Sequence, residues 1–182
     1  MRGVSRHALV AAAVAALATP ALACAQSSAE PALNDAAIAH IGVTANAIDV
    51  EIAELAPTRA SDARVKAFAE TMVRDHNAVN AQAAELAKRL GVTPADNDVS
   101  KSLRSDAAAV KERLTGLQGA AFDRAYMERE VAYHQTVLDA LDKTLIPNTK
   151  NAELKALLQQ ARQAVAAHLE HARQLKASVG GE

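Results

Sequence analysis

Apolar residues recur at alternating spacings of three and four along four long stretches of this chain. That repeat lines one face of an α-helix. The first seam is Ile38, Ile41, Ala45, Ile48, Ile52 and Leu55, and the second runs Val65, Phe68, Met72, His76, Val79, Ala83, Leu86 and Leu90. A third follows Met127, Val131, His134, Leu138, Leu141 and Leu145, and the last Leu154, Leu158, Ala161, Val165, His168, Ala172 and Leu175. Pro31, Pro57, Pro94 and Pro147 punctuate stretches rich in strong helix formers. The pattern predicts helices at 34–56, 62–90, 102–116, 120–146 and 152–177. Ser61 is the expected N-cap of the second, Gly91 its terminating glycine, and 91–100 a loop. No stretch alternates as a strand does. Seams this narrow are what bundled helices bury, so the expected class is all-α: a four-helix bundle with an additional short helix between the second and third long helices.

The first residues read differently. Arg2 and Arg6 precede the uncharged run "ALVAAAVAALATPAL", and small residues converge at "ALACAQ". This is the layout of a secretory signal peptide over 1–25, cleaved after Ala23 or Ala25, and the run is short for a spanning helix. The chain is therefore expected to be exported, to the periplasm or the outer membrane, with a linker at 26–33, the bundle at 34–177 and a flexible tail at 178–182. Cys24, the only cysteine, offers a lipid-anchor alternative, and no disulfide pair is available to hold the fold. No further transmembrane segment is expected.

Charge and aromatic content narrow the partners. Twenty basic residues balance 21 acidic ones, aromatics make up 2% and there is no Trp. A nucleic-acid surface needs a basic stripe or stacking rings, so that class is excluded. Phosphate-binding glycine loops, nucleophile elbows and H-E-x-x-H are all missing from the sequence, which points away from enzymes.

The candidate chemistry lies in the seams themselves. His76 and His134 each fall about 14 residues into their helices and His168 about 16, so all three lie roughly 20–25 Å from a helix start, near mid-height of the bundle. Three imidazoles at one height can converge on a transition metal such as zinc, copper or iron. Glu130 shares the face of His134 as a ligand or supporting group, and His171 lies one turn from His168. Asp75 projects away from His76. Glu51, Glu54 and His40 are expected on the surface. The competing expectation is an envelope interaction or stress module, its histidines linked only to one another and to Tyr126 or Tyr133.

The blocks "EIAELAPTRASDARVKAFAETMVRDHNAVN" (51–80), "GAAFDRAYMEREVAYHQTVLDAL" (119–141) and "AVAAHLEHARQL" (164–175) resemble the bacterial family called domain of unknown function 4142. The resemblance spans about 34–177 and implies a ferritin-like up-and-down bundle in exported or outer-membrane proteins, with no established activity. It does not carry over a di-iron centre. Such centres take Glu-x-x-His from two helices, whereas Val73, Val131 and Val165 stand three residues before His76, His134 and His168. A histidine-rich mononuclear site suits the residues better.

Overall fold

The structure, a computed structural model, describes residues 33–179. The expected signal peptide, its cleavage site, Cys24 and most of the linker lie outside the described residues. Within them there are seven α-helical segments and no strand: α1 (Asp35–Ala53), α2 (Ala56–Arg59), α3 (Ala63–Leu90), α4 (Asp98–Thr115), α5 (Gly119–Ala140), α6 (Ile146–Asn148) and α7 (Ala152–Val179). The four long seams become α1, α3, α5 and α7, as the apolar spacing predicts.

Local chemistry sets the helix ends and moves several of the expected ones. Asn34 caps α1 by accepting from the Ala37 N–H at 2.9 Å. At α3 the cap is Asp62, not Ser61. Ser61 is instead held by the buried Asp123 of α5, whose carboxylate accepts from the Ser61 N–H at 3.2 Å, the Ser61 hydroxyl at 2.5 Å and the Asp62 N–H at 3.0 Å. Gly91 closes α3 at φ 64°, a left-handed conformation that glycine adopts without a Cβ clash. Beyond it, α4 begins at Asp98 rather than 102, because Asn97 and Ser100 form a reciprocal capping box. The fourth predicted helix does not run unbroken to 146. Pro147 cannot donate to the preceding turn, and the backbone widens into a π turn over Leu141–Leu145, where the Ile146 N–H reaches back to Leu141 O. The last helix continues past 177 into the expected tail.

Asp123 makes the first testable point. Asp123→Ala deprives Ser61 and Asp62 of a charged acceptor at the junction of α3 and α5. It is expected to lower unfolding free energy by about 2–3 kcal/mol in urea denaturation.

The core divides into two apolar halves. Ile52, Phe68, Met72, Leu114, Phe122, Met127 and Ala172 occupy one end, and Ile38, Ile41, Leu86, Leu141, Leu158 and Val165 the other. Their order along the chain gives the topology. Helices α3 and α5 both run from the first half to the second, while α1 and α7 run the opposite way. The simple up-and-down order is therefore corrected: α3 and α5 point the same way, and α4 is a crossover returning along the bundle. Its 18 residues span about 27 Å. Its buried residues are Ser100 and Leu114.

Asp35–Arg59 is long and apolar enough to cross a membrane by length and composition. Its apolar side chains are those of the bundle core, and it carries the fully buried Asp49. Between the two apolar halves each long helix contributes buried polar residues: Thr44 and Asp49 from α1, His76 from α3, Arg129, Glu130 and His134 from α5, and His168 from α7.

Candidate metal centre

Helical spacing brings the three seam histidines together. His76 follows Met72 by one turn, His134 follows Glu130 by one turn, and His168 precedes Ala172 by one turn, so each faces the bundle axis. Ring centroids stand 5.7 Å apart for His76 and His134, 5.4 Å for His76 and His168, and 5.5 Å for His134 and His168. One nitrogen from each ring falls within 4.8 Å of the other two.

Every ring has one nitrogen held by an acceptor. His76 Nδ1 lies 2.8 Å from Asn46 Oδ1, His134 Nδ1 lies 3.0 Å from the backbone O of Glu130, and His168 Nε2 lies 3.1 Å from Asp75 Oδ2. The Asn46 amide is itself oriented, since its Nδ2 donates to Asn80 Oδ1 at 3.0 Å. Because these partners accept, the ring nitrogens facing them donate, and the opposite nitrogens are the ones that carry the lone pair of a neutral ring. Those opposite atoms are His76 Nε2, His134 Nε2 and His168 Nδ1, and all three are buried without a hydrogen bond. His76 Nε2 comes 3.2 Å from Asp49 Oδ2 but outside hydrogen-bonding geometry. Burial drives His134 down to about 4, against the attraction of Asp49. It also lowers His76 below its ordinary value.

An ionic cluster adjoins the histidines. The Arg129 guanidinium pairs through Nη1 with Asp49 Oδ1 and with Glu130 Oε1, the latter at 2.6 Å. Its flat face covers the Tyr133 ring at 3.9 Å from the centroid. Burial pushes Asp49 upward, but Arg129, His76 and His134 together outweigh it and hold the carboxyl below the ordinary range. Burial and the neighbouring Asp49 charge lift Glu130 to about 8, so Glu130 carries a proton at neutral pH. The cluster is then one cation against one anion.

Sequence reasoning places His76, His134, His168 and Glu130 where the structure has them. His171 is corrected: it is exposed, and its ring packs edge-on against Phe68 at 5.1 Å, away from the other three. Glu130 supports His134 through its backbone O and Arg129 through its carboxylate. The expected histidine–tyrosine network is replaced by other partners. Tyr133 donates to Ala45 O at 2.8 Å, and the buried Tyr126 hydroxyl makes no hydrogen bond. Asp75 indeed misses His76, yet it reaches His168. Glu51 and Glu54 are exposed as expected, but His40 is half-buried, its Nδ1 2.9 Å from Ser100 Oγ. Asp49 and Arg129 were not among the expected residues, although Asp49 lies four residues after Ala45 and three before Ile52, on the same helical face.

Three imidazoles sharing one zinc-sized ion hold their nitrogens about 3–4 Å apart, given metal–nitrogen bonds near 2.0–2.1 Å. One nitrogen from each ring here lies within 4.8 Å of the other two, an upper bound somewhat wider than that spacing. The fixed outer nitrogens orient the rings for it, as acceptors behind ligating histidines do.

No curated protein sequence matches the chain. Solved structures sharing its fold include a Streptomyces coelicolor protein described as secreted, DUF305. It has a TM-score of 0.68 and 13% identity, over 80% of this chain and 93% of that one. CopM in its Cu(II)-bound form gives a TM-score of 0.61 and 16% identity, over 81% and 99%. Likeness at this identity establishes the bundle fold. Residues 19–175 match the family described as domain of unknown function DUF4142, and the chain belongs to that family.

Proposed function

We propose that this chain is an exported protein that binds one divalent transition-metal ion at mid-bundle through His76, His134 and His168, with the Asp49 carboxylate beside them. The observation that carries the reading is the set of three buried ring nitrogens without hydrogen bonds, each on a ring whose other nitrogen is held by an acceptor. A buried polar atom without a partner costs about 1–3 kcal/mol, and three together are a poor solution for packing alone. Imidazole nitrogen with carboxylate oxygen is a borderline donor set suited to copper(II), zinc or nickel, and affinity along the divalent series peaks at copper(II). The fold-level likeness to a protein solved with Cu(II) supports the same choice. Binding rather than catalysis is the role in this reading, and the signal-peptide layout of residues 1–25 supports export, to the periplasm or the outer membrane.

Copper(II) and zinc(II) titrations of metal-stripped protein test this, with elemental analysis after desalting. One ion per chain is expected in the natural sequence, and none in a His76→Ala, His134→Ala, His168→Ala variant that keeps its helical signal. Natural protein that retains no stoichiometric metal would overturn the proposal.

A further inference from the structure

We infer that Arg129 is a built-in cation occupying the second position of a two-metal centre, and that it restricts the chain to a single metal ion. The inference rests on the metal-binding reading and adds its stoichiometry.

A second donor set adjoins the first. Asp49, Glu130 and His134 each offer one ligand atom, all within 4.8 Å of one another, and His134 belongs to both sets. The His134 ring lies between them. Its Nδ1, which donates to the Glu130 backbone O, stands 3.4 Å from Glu130 Oε2 and would release that proton to solvent on taking a second ion, while its Nε2 is the atom without a hydrogen bond. Asp49 divides in the same way. Oδ1 pairs with Arg129, whereas Oδ2 has no hydrogen bond and comes within 3.2 Å of His76 Nε2. One carboxylate thus faces the histidine site with one oxygen and a cation with the other, as a carboxylate bridging two metals would.

That cation is a side chain. A single atom, Nη1 of Arg129, contacts both Asp49 and Glu130, so it takes the point where those carboxylates converge. Arginine keeps its charge throughout the accessible pH range, and its planar fork suits carboxylates. Tyr133 covers its outer face, anchored in turn on Ala45 O at 2.8 Å. Held from both sides, the guanidinium neutralises the Asp49 carboxylate, fills the space beside the Glu130 carboxyl and repels a second dication.

Copper(II) titration of four proteins tests this, with bound copper counted by elemental analysis and magnetic coupling read by electron paramagnetic resonance. The natural chain and Arg129→Lys are expected to bind one ion, since lysine keeps the charge. Arg129→Ala should bind two, with the resonance intensity per copper reduced by coupling across Asp49. Adding Glu130→Gln to Arg129→Ala should return the count to one. If Arg129→Ala is unfolded without metal, recovery of its helical signal at two equivalents supports the inference, and failure to recover overturns it. A folded Arg129→Ala protein holding one ion, or an Arg129→Lys protein holding two, also overturns it. A natural chain that binds no copper defeats the metal-binding reading itself, whereas one ion in both the natural and the Arg129→Ala proteins defeats only this inference.

Discussion

Asp49→Asn is expected to cost the metal-free protein about 3–5 kcal/mol of unfolding free energy at pH 7, because it strips a buried guanidinium of its ionised partner. Glu130→Gln touches the same guanidinium and is buried just as deeply, yet it is expected to leave stability unchanged or raise it. The difference lies in protonation. Asp49 is held ionised at pH 7 by Arg129, while burial and the Asp49 charge keep Glu130 protonated up to about pH 8. Keeping a proton on Glu130 at neutral pH works against folding, and glutamine carries no such cost. Once Asp49 loses its charge, Glu130 can ionise beside Arg129, so the Asp49→Asn loss settles toward about 3 kcal/mol. Urea denaturation in the presence of a chelator reads both variants. Equal losses would mean that both carboxylates are ionised in the fold.

These charges mark the boundary of what the sequence makes legible. The histidines could be read because each replaces an apolar residue in a regular seam, and a polar residue there must face the core. Mid-helix position alone then set them at one height, whichever way the helices ran. Asp49 could have been found by the same spacing, but it neighbours Ile48 at the margin of the stripe, where a carboxylate reads as solvated. Arg129 could not. Arginine is seldom buried without partners, and its decisive partner, Asp49, comes from a helix 80 residues earlier. His171 failed for the opposite reason: one turn from His168 is close along the helix, but the exposed ring there packs edge-on against Phe68 instead of joining the other histidines. The crossover path of α4 was likewise hidden, because its seam is short and its anchors, Ser100 and Leu114, sit at its ends.

The same charge arrangement predicts how the metal-free protein responds to acid. His134 titrates at about 4 in the fold against 6.5 as a free residue, and His76 is lowered as well. Above pH 6.5 neither state is protonated and these histidines cost nothing. As pH falls below 6.5 the unfolded chain takes up protons first, and stability is withdrawn by about 1.4 kcal/mol per proton per pH unit. For His134 the loss continues to about pH 4. Glu130 works in the opposite direction: between 4.5 and about 8 the folded state holds the proton that the unfolded state has released. Acidification across that window therefore favours the fold. From pH 6.5 to 4.5 the contributions of His134 and Glu130 cancel, leaving the loss due to His76. Below 4.5 the compensation ends and stability drops more steeply, joined by Asp49 as pH passes below 3.8. The natural protein is thus expected to be most stable near pH 6.5. Glu130→Gln removes the opposing group, so its stability should fall between pH 6.5 and 4.5 by about 3 kcal/mol more than that of the natural chain. Chemical denaturation at half-unit pH steps distinguishes the two profiles. Parallel curves would place an ionised Glu130 in the folded core, and the neutral pairing of one guanidinium with one carboxylate would have to be abandoned.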